Sequence, residues 1–78
     1  MRIDSTKAFG EAIRDARRRQ RLTQRDLALI AGTGERFVVD LEAGKATTQL
    51  GRALAVAAAV GLTVSLDDPQ VHDTGLTD

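Results

Sequence analysis

Leu22-Thr23-Gln24-Arg25-Asp26-Leu27-Ala28-Leu29-Ile30-Ala31-Gly32-Thr33-Gly34-Glu35-Arg36-Phe37-Val38-Val39-Asp40-Leu41-Glu42-Ala43-Gly44-Lys45 is the stretch that decides the fold of this chain. Thr23 is a good helix N-cap, and Asp26 stands at the third helical position, where a capping box more often has Glu or Gln. Leu27, Ala28 and Ala31 make one inward face, and Gly32 ends the helix after barely two turns. Thr33-Gly34 restarts the chain at once, and a third helix over about 34–43 turns Val38 and Leu41 inward before Gly44-Lys45 closes it. Helices this short are unstable alone and must pack on each other. The sharp turn favours glycine at position 32, because a positive φ is easiest without a Cβ. A small residue at position 28 lets the two helices cross closely. Two short helices, a tight glycine turn and a basic preceding helix meet the requirements of a helix-turn-helix.

Upstream, Ser5 or Thr6 can cap a first helix whose Phe9, Ala12, Ile13 and Ala16 recur at i, i+3, i+4 and i+7. Downstream, a fourth helix over about 49–60 carries a stripe of Leu50, Ala53, Leu54, Ala57 and Ala58, with Ala55, Val56, Ala59 and Val60 on its other side. A helix apolar nearly all round is covered on more than one side. In so small a domain the simplest second cover is another subunit, which places Val56 and Val60 at a dimer interface. Leu62-Thr63-Val64-Ser65-Leu66 alternates as a strand does, and a lone strand has no ladder partner. Two copies pairing their strands through Leu62, Val64 and Leu66 would supply one; an extended tail lying on its own domain is the alternative. Asp67-Asp68-Pro69 ends the strand, and residues 67–78 read as a mobile acidic tail. The expected organisation is thus a domain over 1–66, including a dimerisation strand over 62–66, and a tail.

Composition narrows the function. Seventy-eight residues allow one small domain, close to the size at which a single core needs help from oligomerisation. With no cysteine and one histidine, His72, there is neither a disulfide framework nor material for a metal cluster. The longest apolar run, residues 53–60, falls far short of the roughly 20 residues that span a bilayer. The N-terminus lacks the apolar stretch of a signal peptide, so the expected setting is soluble and cytoplasmic, with no membrane contact. No nucleophile–base pair or phosphate-cradling glycine loop suggests an enzyme, and no cofactor is expected.

Eleven basic against eleven acidic side chains give zero net charge, which at first argues against a polyanionic partner. Position reverses that inference. Residues 1–45 hold ten Lys/Arg and seven Asp/Glu, whereas 46–78 hold Arg52 against Asp67, Asp68, Asp73 and Asp78. Between Arg14 and Arg25, six arginines face only Asp15. A basic face with acid elsewhere attracts phosphate even when the sum is zero; a merely solvated basic helix is the plainer reading.

Residues 22–32 together with 41–45 resemble the XRE/Cro-type helix-turn-helix domain, a lambda-repressor-like fold. The resemblance covers residues 7–62 and implies a mainly α fold of the five-helix type. Residues 41–51, followed by Val60-Gly61-Leu62-Thr63-Val64-Ser65-Leu66, resemble HipB-like antitoxins more narrowly. In that family a C-terminal strand joins the dimer, and the proteins repress their own operon and bind a HipA-type kinase toxin. The resemblance implies both roles here, with double-stranded DNA bearing an inverted repeat, a second copy of the chain and a HipA-like kinase as partners. A stand-alone XRE-type regulator without a toxin, such as a phage or restriction-modification controller, is the alternative.

The resemblance also assigns residues. Gln24 falls where the family contacts a phosphate, at a helix end whose dipole favours anions; Thr23 could add its hydroxyl or serve only as the cap. Glu35, Arg36, Val39 and Asp40 fall on the groove-facing side of the recognition helix. Arg36 is the leading base reader, because a guanidinium can bond guanine through O6 and N7. Glu35 or Asp40 could accept from a cytosine amino group or orient an arginine, and Phe37 could meet a thymine methyl or pack inward. Lys45 is a candidate for backbone phosphate. Arg17 and Glu42 stand where the family pairs an arginine with a glutamate structurally, leaving Arg18, Arg19, Arg21 and Arg25 for phosphate. Leu29 and Ile30 stand where the family usually has polar residues; they could form a partner surface or be absorbed by packing.

Overall fold

The structure is a computed structural model that describes residues 5–64. Four α-helices follow in order: α1 Thr6–Arg19, α2 Gln24–Ala31, α3 Glu35–Glu42 and α4 Leu50–Ala59. The expected count of five is therefore corrected to four among the described residues. Ser5 caps α1, its side-chain oxygen accepting from the Ala8 amide at 3.0 Å. Thr23 and Asp26 form a full capping box on α2. The Asp26 amide donates to Thr23 Oγ1 and the Thr23 amide to Asp26 Oδ2, both at 2.9 Å. A carboxylate one methylene shorter than glutamate therefore still reaches back to the cap.

All four helices end in the same way. The amide that follows a left-handed residue returns to a carbonyl five residues earlier: Leu22 to Arg17, Thr33 to Ala28, Lys45 to Asp40 and Leu62 to Ala57. This termination needs one left-handed residue. Glycine supplies it at Gly32, Gly44 and Gly61, but after α1 the position is taken by Arg21, at φ 58°.

Ile13, Leu27, Val38 and Val56 are fully buried and form the centre of the core, with Ala16, Ala28, Leu41, Ala53, Ala57 and Val60 around them. Phe9, Ala31, Phe37 and Leu62 pack on its margin. α3 lies against both α1 and α2, and α2 also against α4. At the α1–α3 crossing there is no room for a side chain on Gly10: a Cβ there would lie within contact distance of the carbonyl oxygen of Leu41 and 2.9 Å from that of Glu42.

The face of α4 differs from expectation. Val56 and Val60, expected at a dimer interface, are buried in the chain's own core. Leu50 and Leu54, expected inside, are 65% and 42% exposed, and Ala58 is exposed with them. The helix runs its core through positions 53, 56, 57 and 60, a proper i, i+3, i+4, i+7 set, and turns its two leucines outward. No strand is present among the described residues. Leu62 and Val64 are half-buried and Thr63 exposed, the alternation of an extended segment, but Leu62 packs on its own domain. Ser65, Leu66 and the acidic tail lie outside the described residues.

Candidate nucleic-acid interface

The site is organised around one ion pair. Arg17 on α1 and Glu42 at the end of α3 meet bidentately, Nε to Oε2 at 2.7 Å and Nη2 to Oε1 at 2.9 Å. Their side chains are only 10% and 3% exposed. The third arm of the guanidinium, Nη1, donates to the Leu22 carbonyl at 2.9 Å, and Gln24 Nε2 donates to Glu42 Oε1 at 3.2 Å. Every charged atom is thereby matched, which burial demands. The hydrogen bond to Glu42 holds the guanidinium even more firmly protonated than usual, against the opposing effect of burial. Through these four contacts the last turn of α1, the entry to α2 and the C-terminal turn of α3 form one piece.

An open cleft of about 360 Å³ lies beside the pair, lined by Arg14, Arg17, Arg18, Gln24, Val39, Glu42 and Ala43. Arg18, Gln24 and Val39 were singled out by sequence, and the fold brings them together. Arg14 was not. Its signal was there: Arg14 and Arg18 are four residues apart on a helix and so share one face, while Arg17 turns to Glu42. Arg19, Arg21 and Arg25 are exposed but do not line this cleft.

On α3, Glu35 and Arg36 are exposed, with 81% of the Arg36 side chain open to solvent. The Asp40 carboxylate lies between two cations, 3.5 Å from Arg36 Nε and 3.3 Å from Lys45 Nζ. An acid placed so is occupied in orienting cations, which lowers its availability as an acceptor for a base. Phe37 is half-buried and packs on the core margin, and Val39 is half-buried. Thr23 Oγ1 already accepts the capping bond, and its hydroxyl proton remains to be donated to a phosphate oxygen. Leu29 and Ile30 are 74% and 59% exposed: α3 and α4 leave this side of α2 uncovered among the described residues.

No helix among the described residues is long and apolar enough to cross a membrane, and no group of three or more metal-ligating side chains forms there.

Comparison with known proteins agrees with this geometry. The chain matches the HTH_3 family, described as helix-turn-helix, over residues 13–66. It is 43% identical over 68 residues to an uncharacterised HTH-type transcriptional regulator, y4mF, from Sinorhizobium fredii, covering 87% of this chain and 90% of that protein. Among solved structures it is similar to the restriction-modification controller protein C.AhdI from Aeromonas hydrophila. The identity is 28% and the TM-score 0.65, over 74% of this chain and 84% of the controller.

Proposed function

Since the chain belongs to the XRE-type helix-turn-helix family of DNA-binding transcriptional regulators, we propose that it works as a homodimeric, sequence-specific repressor of its own operon. Proteins of this family are DNA-binding regulators rather than enzymes. The observation that carries the reading is the Arg17–Glu42 unit: it holds the exposed face of α3 and the arginine-lined cleft in one fixed arrangement, so base reading and backbone grip act together. In this reading Arg36 reads a base edge, with Asp40 orienting it from one helical turn away. Glu35 and Val39 flank it in the groove, and Phe37 serves mainly as packing. Gln24, Arg18 and Lys45 meet phosphates, and Arg19, Arg21 and Arg25 add a longer-range positive field. Thr23 acts first as the cap.

The dimer face in this reading is Leu50, Leu54 and Ala58 on α4, in place of Val56 and Val60. Two exposed leucines one turn apart, on a helix whose other apolar residues are mostly alanine, favour a close self-contact. Two recognition helices about 34–36 Å apart would then read an inverted repeat.

A second reading, the antitoxin of a HipA-type kinase, has two supports: the resemblance of residues 41–51 and 60–66, and the exposed Leu29–Ile30 pair as a surface for a partner. The stand-alone regulator has the similarity to a restriction-modification controller. A mobility shift on the chain's own promoter, with and without a co-expressed HipA-like kinase, tests both. Promoter binding without kinase capture supports the stand-alone regulator, and stable co-purification supports the antitoxin. Absence of a shift at low salt would refute the repressor.

A further inference from the structure

We propose that Arg14, together with Arg18, seats one backbone phosphate of bound DNA in the cleft between α1, the start of α2 and α3. This rests on the DNA-binding reading above. Three arginines line the cleft, but they are not equivalent. Arg17 is neutralised by both carboxylate oxygens of Glu42, and Glu42 is the cleft's only acid. Arg14 and Arg18 have no carboxylate partner among the described residues, so the cleft is left with two uncompensated positive charges.

Arg14 is also the one whose hydrogen bonding is incomplete. It is half-buried, and its Nε is inaccessible to solvent without any acceptor. A buried donor without an acceptor is disfavoured until something supplies one. A phosphodiester brings two anionic oxygens, and a guanidinium presents its N–H groups as a fork that matches them. Gln24 stands on the same wall at the N-terminus of α2, and Val39 and Ala43 complete the cleft without adding negative charge. An arginine facing the α3 side of α1 would therefore grip the DNA backbone next to the groove that α3 reads. The charge run shows six arginines; the cleft separates the two that converge on it from those on other faces.

The test compares wild type, Arg14→Ala, Arg14→Gln and Arg19→Ala, each bound to a duplex of its own promoter and to a duplex of unrelated sequence. Affinity is followed by fluorescence anisotropy across a salt series. The expected result is about tenfold weaker binding of both duplexes per protomer on losing Arg14. The slope of log affinity against log salt should also fall by about 0.9 for each bound protomer. Arg19→Ala should change both less. Thermal unfolding of the free variants should be unchanged or slightly improved, because an unmatched buried donor is removed. Should the alanine variant fold poorly, Arg14→Gln keeps the stem and gives the same readout. Wild-type affinity and salt slope in the Arg14 variants would overturn the assignment while leaving the repressor intact. Failure of the wild type to bind either duplex would overturn both.

Discussion

The side-chain amide of Gln20 donates to the main-chain carbonyl of Val60 at 2.8 Å, tying the C-terminal end of α1 to that of α4. These two segments are 40 residues apart in sequence, and the bond satisfies a carbonyl that helix termination leaves without an intrahelical partner. Gln20→Ala should therefore lower stability by about 1 kcal/mol, as read by urea denaturation. Gln20→Glu, which replaces the donor by an acceptor, should be worse. Equal stability of the alanine variant and the wild type would remove this link from the fold.

Arg17 and Arg18 are neighbours in sequence with opposite expected behaviour. Arg17→Ala leaves the Glu42 carboxylate buried without its cation, which destabilises by about 3–5 kcal/mol and abolishes DNA binding through loss of fold. Arg18→Ala alters an exposed side chain, so stability should stay within about 0.5 kcal/mol while affinity falls. A normal melting temperature in Arg17→Ala would show that the pair is dispensable.

Arg21 holds the left-handed position that glycine holds after the other three helices. A side chain there is strained by roughly 1–2 kcal/mol. Arg21→Gly should raise the melting temperature, and Arg21→Ala should not. If Arg21 contributes to the positive field around bound DNA, both variants lose affinity equally at low salt and converge on wild type as salt rises.

Asp26 carries a pH dependence. The backbone amide of Thr23, and then its side chain, hold the Asp26 carboxyl below its ordinary value of 3.8. A carboxyl depressed on folding stabilises the native state above its unfolded value, and that contribution disappears as pH falls through the lower folded value. The acid limb of stability should therefore be less steep below about pH 4 in Asp26→Asn than in wild type, the wild type's advantage being full at neutral pH and lost in acid. A parallel pair of acid limbs in chemical denaturation would contradict this.

Leu54→Lys tests the assembly. Leu54 is 42% exposed and Val56 fully buried. Leu54→Lys should give a folded monomer by sedimentation with much weakened promoter binding, whereas Val56→Lys should fail to fold. A Leu54→Lys dimer would exclude this face.

Residues 6–43 were legible because each element there carries two agreeing signals, a period and a punctuation mark: the Phe9–Ile13–Ala16 stripe with Ser5, and Thr23 with Gly32. α4 was not legible in the same way. Its apolar residues surround it, so the period has no polar face to orient it. Its one charge, Arg52, is exposed although it stands one turn before the buried Val56, so a single charge at the flank does not tell the buried side from the open one. The bulk of Leu50 and Leu54 suggested a core, yet packing against α2 selected the slimmer Ala53–Val56–Ala57–Val60 set, which permits closer approach. The ion pair follows from the family resemblance. Arg14 does not: its spacing of four from Arg18 puts the two on one face, but only the folded cleft shows that this face meets α3.

The missing side chain at Gly10 has a consequence for evolution of binding specificity. With the backbones of α1 and α3 in direct contact there, no cushion of side chains exists through which one helix could tilt relative to the other. A regulator that reads DNA as proposed could change its preferred bases by exchanging residues on α3, but could not re-aim that helix against its phosphate anchors. New operators within its reach must share the old backbone geometry. Its diversification is confined to the letters of the site and excludes the angle from which they are read.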